Sequence, residues 1–207
     1  MGDKKFMNIF FSVLVLTLFS LSFSSAISCN TGDVGSTCYI SAAQEFSSGE
    51  TFSANNLVIQ DGGSIYNTGN DGTNGYTLVL SLTGNLTLEN NSYIEGGRLN
   101  ISAYNLDVAE GGVIKTDYRG YNLQRGPGYY ARYYGSTHAG RGALNPDDIY
   151  GDAYTPESFG SGSYEGAGGG VIVLSAINII LNGSLSSLGE SKMSTNQNGA
   201  SGGSIWI

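Results

Sequence analysis

Aliphatic residues recur along this chain at every second position, in short runs separated by turns rich in Gly and Asn. Four segments align: 56–65, 85–94, 105–114 and, two residues shorter, 178–185. Each reads Asn, aliphatic, any residue, aliphatic, a turn, then another aliphatic. Three of them follow a second alternating run, carried by Leu78, Leu80 and Leu82, by Leu99, Ile101 and Ala103, and by Ile172, Leu174 and Ala176. A period of two places one face of a strand in a core and the other in water. Leu86 and Leu106 stand 20 residues apart, and Leu80 and Ile101 stand 21 apart, so a unit holds about three short strands. Such a unit buries its apolar face only by stacking on the next one.

This arithmetic predicts an all-β protein, a single-stranded parallel β-helix (β-solenoid) whose successive rungs lie about 4.8 Å apart. A β-sandwich also produces short alternating strands. The return of Asn to one position favours the stack, because Asn56, Asn85, Asn105 and Asn178 can then form an amide ladder. Residues 27–55 read as an N-terminal cap, with Phe46 and Phe52 available to cover the first rung, and 56–207 as the rungs. At the other end, Gly202–Ile207 reads like Gly169–Leu174, the opening of a rung. The coil is therefore expected to be incomplete at its C-terminus, where further rungs or another chain would meet the open edge.

Composition narrows the picture. Thirty-two Gly, three Pro and only 13% charged residues suit neither a helical protein nor collagen. A formal charge of −8 repels phosphate backbones, which argues against nucleic acid as a partner. Lys4 and Lys5 precede an apolar stretch from Phe6 to Phe23 that ends in Ser24-Ser25-Ala26, the three-part layout of a signal peptide over residues 1–26. An uncleaved membrane anchor is the alternative, since the apolar run just reaches spanning length. The expected location is outside the cell or on its surface. There the only two cysteines, Cys29 and Cys38, are expected to form a disulfide. The alternative, a lipid on Cys29, lacks the leucine usual three residues earlier.

The run Gly168-Gly169-Gly170-Val171-Ile172-Val173-Leu174-Ser175-Ala176, the following Asn178–Leu185 and the closing Gly199–Ile207 resemble repeats of large glycine-rich, adhesin-like surface proteins with pectin-lyase-like β-helices. The likeness covers roughly 56–207. It implies a right-handed coil and a structural or glycan-binding role at the cell surface.

Candidate chemistry concentrates in an interruption of the repeat at 118–167, which holds nine of the fourteen tyrosines. Tyr129, Tyr130, Tyr133 and Tyr134 can stack on sugar C–H faces, while Arg132, Asp147 and Asp148 can meet hydroxyls. The competing reading is that the tyrosines merely fold the loop onto the strands. No catalytic residue is assigned. Arg125-Gly126-Pro127 begins the lyase motif Arg-x-Pro-x-x-Arg, but Tyr130 stands at the second arginine. Asp147-Asp148 offers paired carboxyls for a polysaccharide lyase or glycoside hydrolase, the alternative function, yet Pro146-Asp147-Asp148 also reads as a turn. His138 lies between Thr137 and Ala139 rather than in Gly-His-Gly. No cofactor is expected, and Asp147, Asp148 and Asp152 are the only candidates for Ca2+, without a recognised loop spacing. The sequons at Asn85, Asn90, Asn100 and Asn182 are about as many as chance gives in a chain so rich in Asn, Ser and Thr.

Overall fold

The structure is a computed structural model that describes residues 27–70, 73–131, 134–142, 149–191 and 199–207. The expected signal segment 1–26 and four candidate ligand contacts, Arg132, Tyr133, Asp147 and Asp148, lie outside the described residues.

Every regular element among the described residues is a strand. In chain order they are β1 (Thr31–Gly32), β2 (Thr37–Ile40), β3 (Ala43–Glu45), β4 (Glu50–Ala54), β5 (Asn56–Ile59), β6 (Ser64–Tyr66), β7 (Thr77–Leu82), β8 (Asn85–Leu88), β9 (Tyr93–Glu95), β10 (Arg98–Val108), β11 (Val113–Lys115), β12 (Val171–Leu181), β13 (Ser184–Ser186) and β14 (Ser204–Trp206). Nine of them form one sheet with the path β1-β2-β5-β8-β10-β12-β14, which β7 and β4 join beside β10. The other five form a second sheet in the order β13-β11-β9-β6-β3.

The single-stranded right-handed parallel β-helix expected from the repeat is therefore corrected. The strands gather into two multi-stranded sheets that do not close, and the larger is mixed, since β1 runs antiparallel to β2. The physical reason lies in β10 and β12. Each runs unbroken for 11 residues through what the alternation presents as two strands, joining the short strands on either side into one sheet.

All other strand pairs are parallel, and their register puts like residues in columns. Leu57, Leu86, Leu106 and Ile179 follow one another, as do Ile59, Leu88, Val108 and Leu181. In the smaller sheet Ile65, Ile94, Ile114 and Leu185 align. β2, β3 and β4, within the segment read as a cap, pair in register too, so that Cys38 precedes Leu57 and Phe52 precedes Leu80. These columns are the core, and each fully buried Leu or Ile stabilises the fold by about 1.5–3 kcal/mol.

Glycine allows the layers to approach where side chains are absent. Gly97, Gly170 and Gly203 each stand just before a paired strand. A Cβ at Gly170 would run into Gly97 O, and one at Gly203 into Gly170 O. The turns at Gly62 and Gly111 need φ of 75° and 80°, which L-residues rarely adopt.

The two ends of the stack differ. At the N-terminal end β1 covers the edge of β2, Cys29 is bonded to Cys38 with Cα atoms 5.1 Å apart, and Ile27 and Phe46 are buried. At the C-terminal end β14 covers only Val171–Val173 of β12. Beyond that, Ile177, Ile180 and Leu181 are exposed.

Candidate functional site

The segment 118–167 carries no strand alternation, yet backbone hydrogen bonds hold its described residues in place. Gly120 N–H donates to Gly168 O at 2.7 Å, Tyr121 N–H to Gly160 O at 3.0 Å, Gly160 N–H to Gly169 O at 2.8 Å and Gly168 N–H to Tyr121 O at 2.9 Å. A Cβ on Gly160 or Gly168 would collide with neighbouring carbonyls, so the glycines here let backbone pack directly on backbone.

Charged side chains anchor both ends of the segment. Arg119 donates from Nε and Nη2 to Glu95 Oε1 at 3.1 and 2.7 Å and from Nη1 to Thr68 O, while Lys115 Nζ lies 3.0 Å from Glu95 Oε2. Burial pushes the Glu95 carboxyl up, but the hydrogen bonds from Arg119 and Lys115 outweigh it and hold it below the ordinary carboxylate range. Arg98 donates from Nη2 to Glu157 O at 2.6 Å and lies over the Phe159 ring, which forms an edge-to-face pair with Tyr121.

Beneath the surface lies a polar cluster that the sequence gives no local signal for. Tyr150 Oη donates to Phe159 O at 2.7 Å and sits 2.7 Å from Ser161 Oγ, which also accepts from Gly128 N–H. Ser161 N–H donates to Ser201 Oγ at 2.7 Å, tying the segment to the last stretch of the chain. Burial pushes the Tyr150 hydroxyl up to about 12. The His138 ring packs 4.9 Å from that of Tyr150, and desolvation lowers its pKa from 6.5 against the opposing bond to the Gly202 backbone. His138 and Ser161 are both buried, so this cluster acts as a fastening rather than as an accessible acid, base or nucleophile.

On the surface of the same segment, Tyr130 and Tyr134 come together. Their ring centroids are 4.9 Å apart with planes at 83°, an edge-to-face pair, and Tyr130 is 48% exposed. Tyr129 is half-buried, and its N–H donates to Gly126 O. Of the seven candidate contacts, the described ones are thus Tyr129, Tyr130 and Tyr134. Asp152, a candidate for Ca2+, accepts from the Tyr154 and Thr155 amides through Oδ1 and so caps a turn. Those bonds lower its pKa, and among the described residues no cluster of three metal-ligating side chains forms.

The Asn positions lie side by side in the larger sheet. Asn85 N–H donates to Asn56 Oδ1 at 2.9 Å, Asn105 Nδ2 to Asn85 Oδ1 at 2.6 Å, and Asn178 Nδ2 to Asn105 Oδ1 at 2.8 Å. Donation runs one way, from each Asn towards the N-terminal neighbour, and Asn56 Nδ2 ends the row on Ser36 O.

Comparison with protein-family models, with curated proteins and with solved structures finds no match for this chain.

Proposed function

We propose that this is an exported cell-surface protein, an adhesin-like module that binds glycan through the tyrosine-rich segment and performs no catalysis. The observation that carries the reading is the edge-to-face pair of Tyr130 and Tyr134, held at the surface of a segment whose backbone is fastened to the sheets. Aromatic faces of that kind meet sugar C–H surfaces, and their fixed geometry lowers the ordering cost of binding. Export is supported by the Cys29–Cys38 disulfide, which belongs to an oxidising compartment, and by the layout of residues 1–26. The repeat texture resembling glycine-rich surface proteins points the same way.

The test is a glycan-array screen of the secreted full chain beside its Tyr130→Ala/Tyr134→Ala variant. The reading expects binding to a defined glycan class that the variant loses while its melting curve is unchanged. Silence from correctly folded protein, or binding that survives in the variant, contradicts it. N-terminal sequencing of the secreted product checks export separately, with Ile27 expected as the first residue.

A further inference from the structure

The stretch 27–30 is fastened at every residue, and its first bond differs in kind from the others. Ile27 is 2% exposed, and its N–H donates to Glu50 Oε1 at 3.0 Å. Ser28 N–H donates to Gln44 Oε1 at 2.8 Å, and Gln44 Nε2 donates back to Ser28 O at 2.6 Å. Cys29 is bonded to Cys38, and Asn30 N–H donates to Tyr39 O at 2.8 Å, while Asn30 Oδ1 accepts from Ser41 N–H. Ser28 and Asn30 thus meet neutral partners, whereas Ile27 meets a carboxylate. Glu50 is part-buried at the start of β4, and its Oε2 accepts from Ser47 N–H at 2.9 Å, which keeps Oε1 turned towards Ile27 N. A peptide N–H offers that carboxylate a single neutral donor.

From this arrangement we infer that Glu50 is the binding site for the α-ammonium group of the mature chain. The inference rests on the export reading above, in which a signal peptidase cuts after Ala26. In that cut water adds across the Ala26–Ile27 peptide bond. The new carboxylate leaves with residues 1–26, and the Ile27 nitrogen becomes an amine that takes up a proton at neutral pH. The nitrogen that stands 3.0 Å from Glu50 Oε1 thereby turns from one neutral donor into a cation with three, and the bond becomes charge-assisted. The Ile27 side chain belongs to the core cluster and holds the nitrogen at that place. Processing then does more than release the leader: it completes the layer that encloses the first strands.

Such a pair leaves a signature in pH. A free α-amino group titrates at about 7.7–8.0, and a carboxylate partner raises that value in the folded state. The stabilisation is fully present below the unfolded value and is lost as pH rises through the folded one. The strands bonded to 27–30 carry two other titratable side chains, Tyr39 of β2 and Glu45 of β3. Both are unchanged in a Glu50 variant and cancel from its difference to the parent.

The experiment takes the secreted chain, reads its first residue by N-terminal sequencing, and compares it with Glu50→Gln in urea denaturation from about pH 6.5 to about pH 10, across the α-amino range. Gln keeps an acceptor for Ile27 N and removes the charge. Its lost bond to Ser47 N–H is an offset that does not depend on pH. The expected result is Ile27 in first place and a parent midpoint above that of the variant, by a gap that narrows as pH rises. The α-amine of the native parent should also react with an acylating reagent several-fold more slowly than that of the variant, read by mass spectrometry of the N-terminal peptide. A first residue other than Ile27 overturns both the cleavage site and this inference. Ile27 in first place with a gap that stays constant over the range, or with equal acylation in parent and variant, overturns the inference alone and leaves the export reading standing. Acylation of the native parent as fast as of the urea-unfolded chain, a comparison that needs no variant, overturns it too.

Discussion

The two ends of this molecule use the same inner columns and treat them differently. At the N-terminal end Cys38 and Ile40 head the columns of Leu57 and Ile59, and they are wholly buried because β1, Ile27 and the disulfide enclose them. At the C-terminal end Ile179 and Leu181 close the same columns and stand partly in water. The residue types are alike, so hydrophobicity does not set the difference. What differs, among the described residues, is how much chain lies across the sheet edge: β1 lies across β2, whereas β14 pairs only with Val171–Val173 of β12. In a stack each layer is stabilised by its neighbours, and a layer with one neighbour gains roughly half of what an inner layer gains.

Charge placed at matched depths breaks the comparison most sharply. Val108→Asp puts a carboxylate into a closed column with no partner, and the expected outcome is loss of cooperative folding in thermal denaturation. Leu181→Asp, one layer further on, is expected to melt within a few degrees of the parent. Equal damage from both substitutions would mean that the C-terminal end is covered after all.

Next in size is the closure of the N-terminal end itself. Removing the Cys29–Cys38 bond by a double Cys→Ser change is expected to cost about 2–3 kcal/mol in urea denaturation, from the loop entropy returned to the unfolded chain. The same loss should follow from reduction of the parent, and the C-terminal end should exchange its amides no faster than before.

The Asn row joins the two ends, and Asn105 stands inside it with one amide bond on each side. Asn105→Ala should cost about 1–2 kcal/mol, whereas Asn178→Ala, with a single bond, should cost about half as much. Equal costs would show that the row contributes no directional stability.

The smallest effect is expected from pH. The pKa of His138 is depressed in the folded state, so its neutral form favours folding. That stability is fully present above the unfolded value of about 6.5 and is lost as pH falls below it towards the folded pKa. The urea midpoint should therefore drop slightly between pH 7.5 and 5.5, and His138→Phe should flatten that slope. Glu95 and Asp152, whose pKa values are also lowered, add their own losses only in the more acidic carboxylate range.

How much of this could be read from sequence follows from how local each signal is. The columns of Leu57, Leu86 and Leu106 and of Ile65, Ile94 and Ile114 were legible, because Asn, the alternation and the turn lie within ten residues of one another. The union of the strands into two open sheets was not. It depends on β10 and β12 running straight through Tyr104 and Ile177, where the alternation changes phase and a reader sees a break. The pairing of β2 with β5 was hidden for a related reason, since Thr37-Cys38-Tyr39-Ile40 lacks the Asn that marks the later strands. In the tyrosine-rich segment only residue type was legible. The pairing of Tyr130 with Tyr134 rests on a turn in which Tyr134 N–H donates to Ala131 O and which no repeat marks, and the burial of His138 against Tyr150 involves Ser161 and the distant Ser201, which no local pattern encodes.

The central claim, that the inner columns are enclosed at Cys38 and Ile40 and part-exposed at Ile179 and Leu181, is tested most directly by residue-resolved hydrogen exchange of the full chain under native conditions. β5 is paired on both edges, so all its amides from Leu57 to Ile59 should exchange slowly. Along β12 between Ser175 and Leu181 the amides should alternate, slow where they face β10 and fast where they face the free edge. Uniform protection of both strands would contradict the account, because it would mean that something already covers the C-terminal edge.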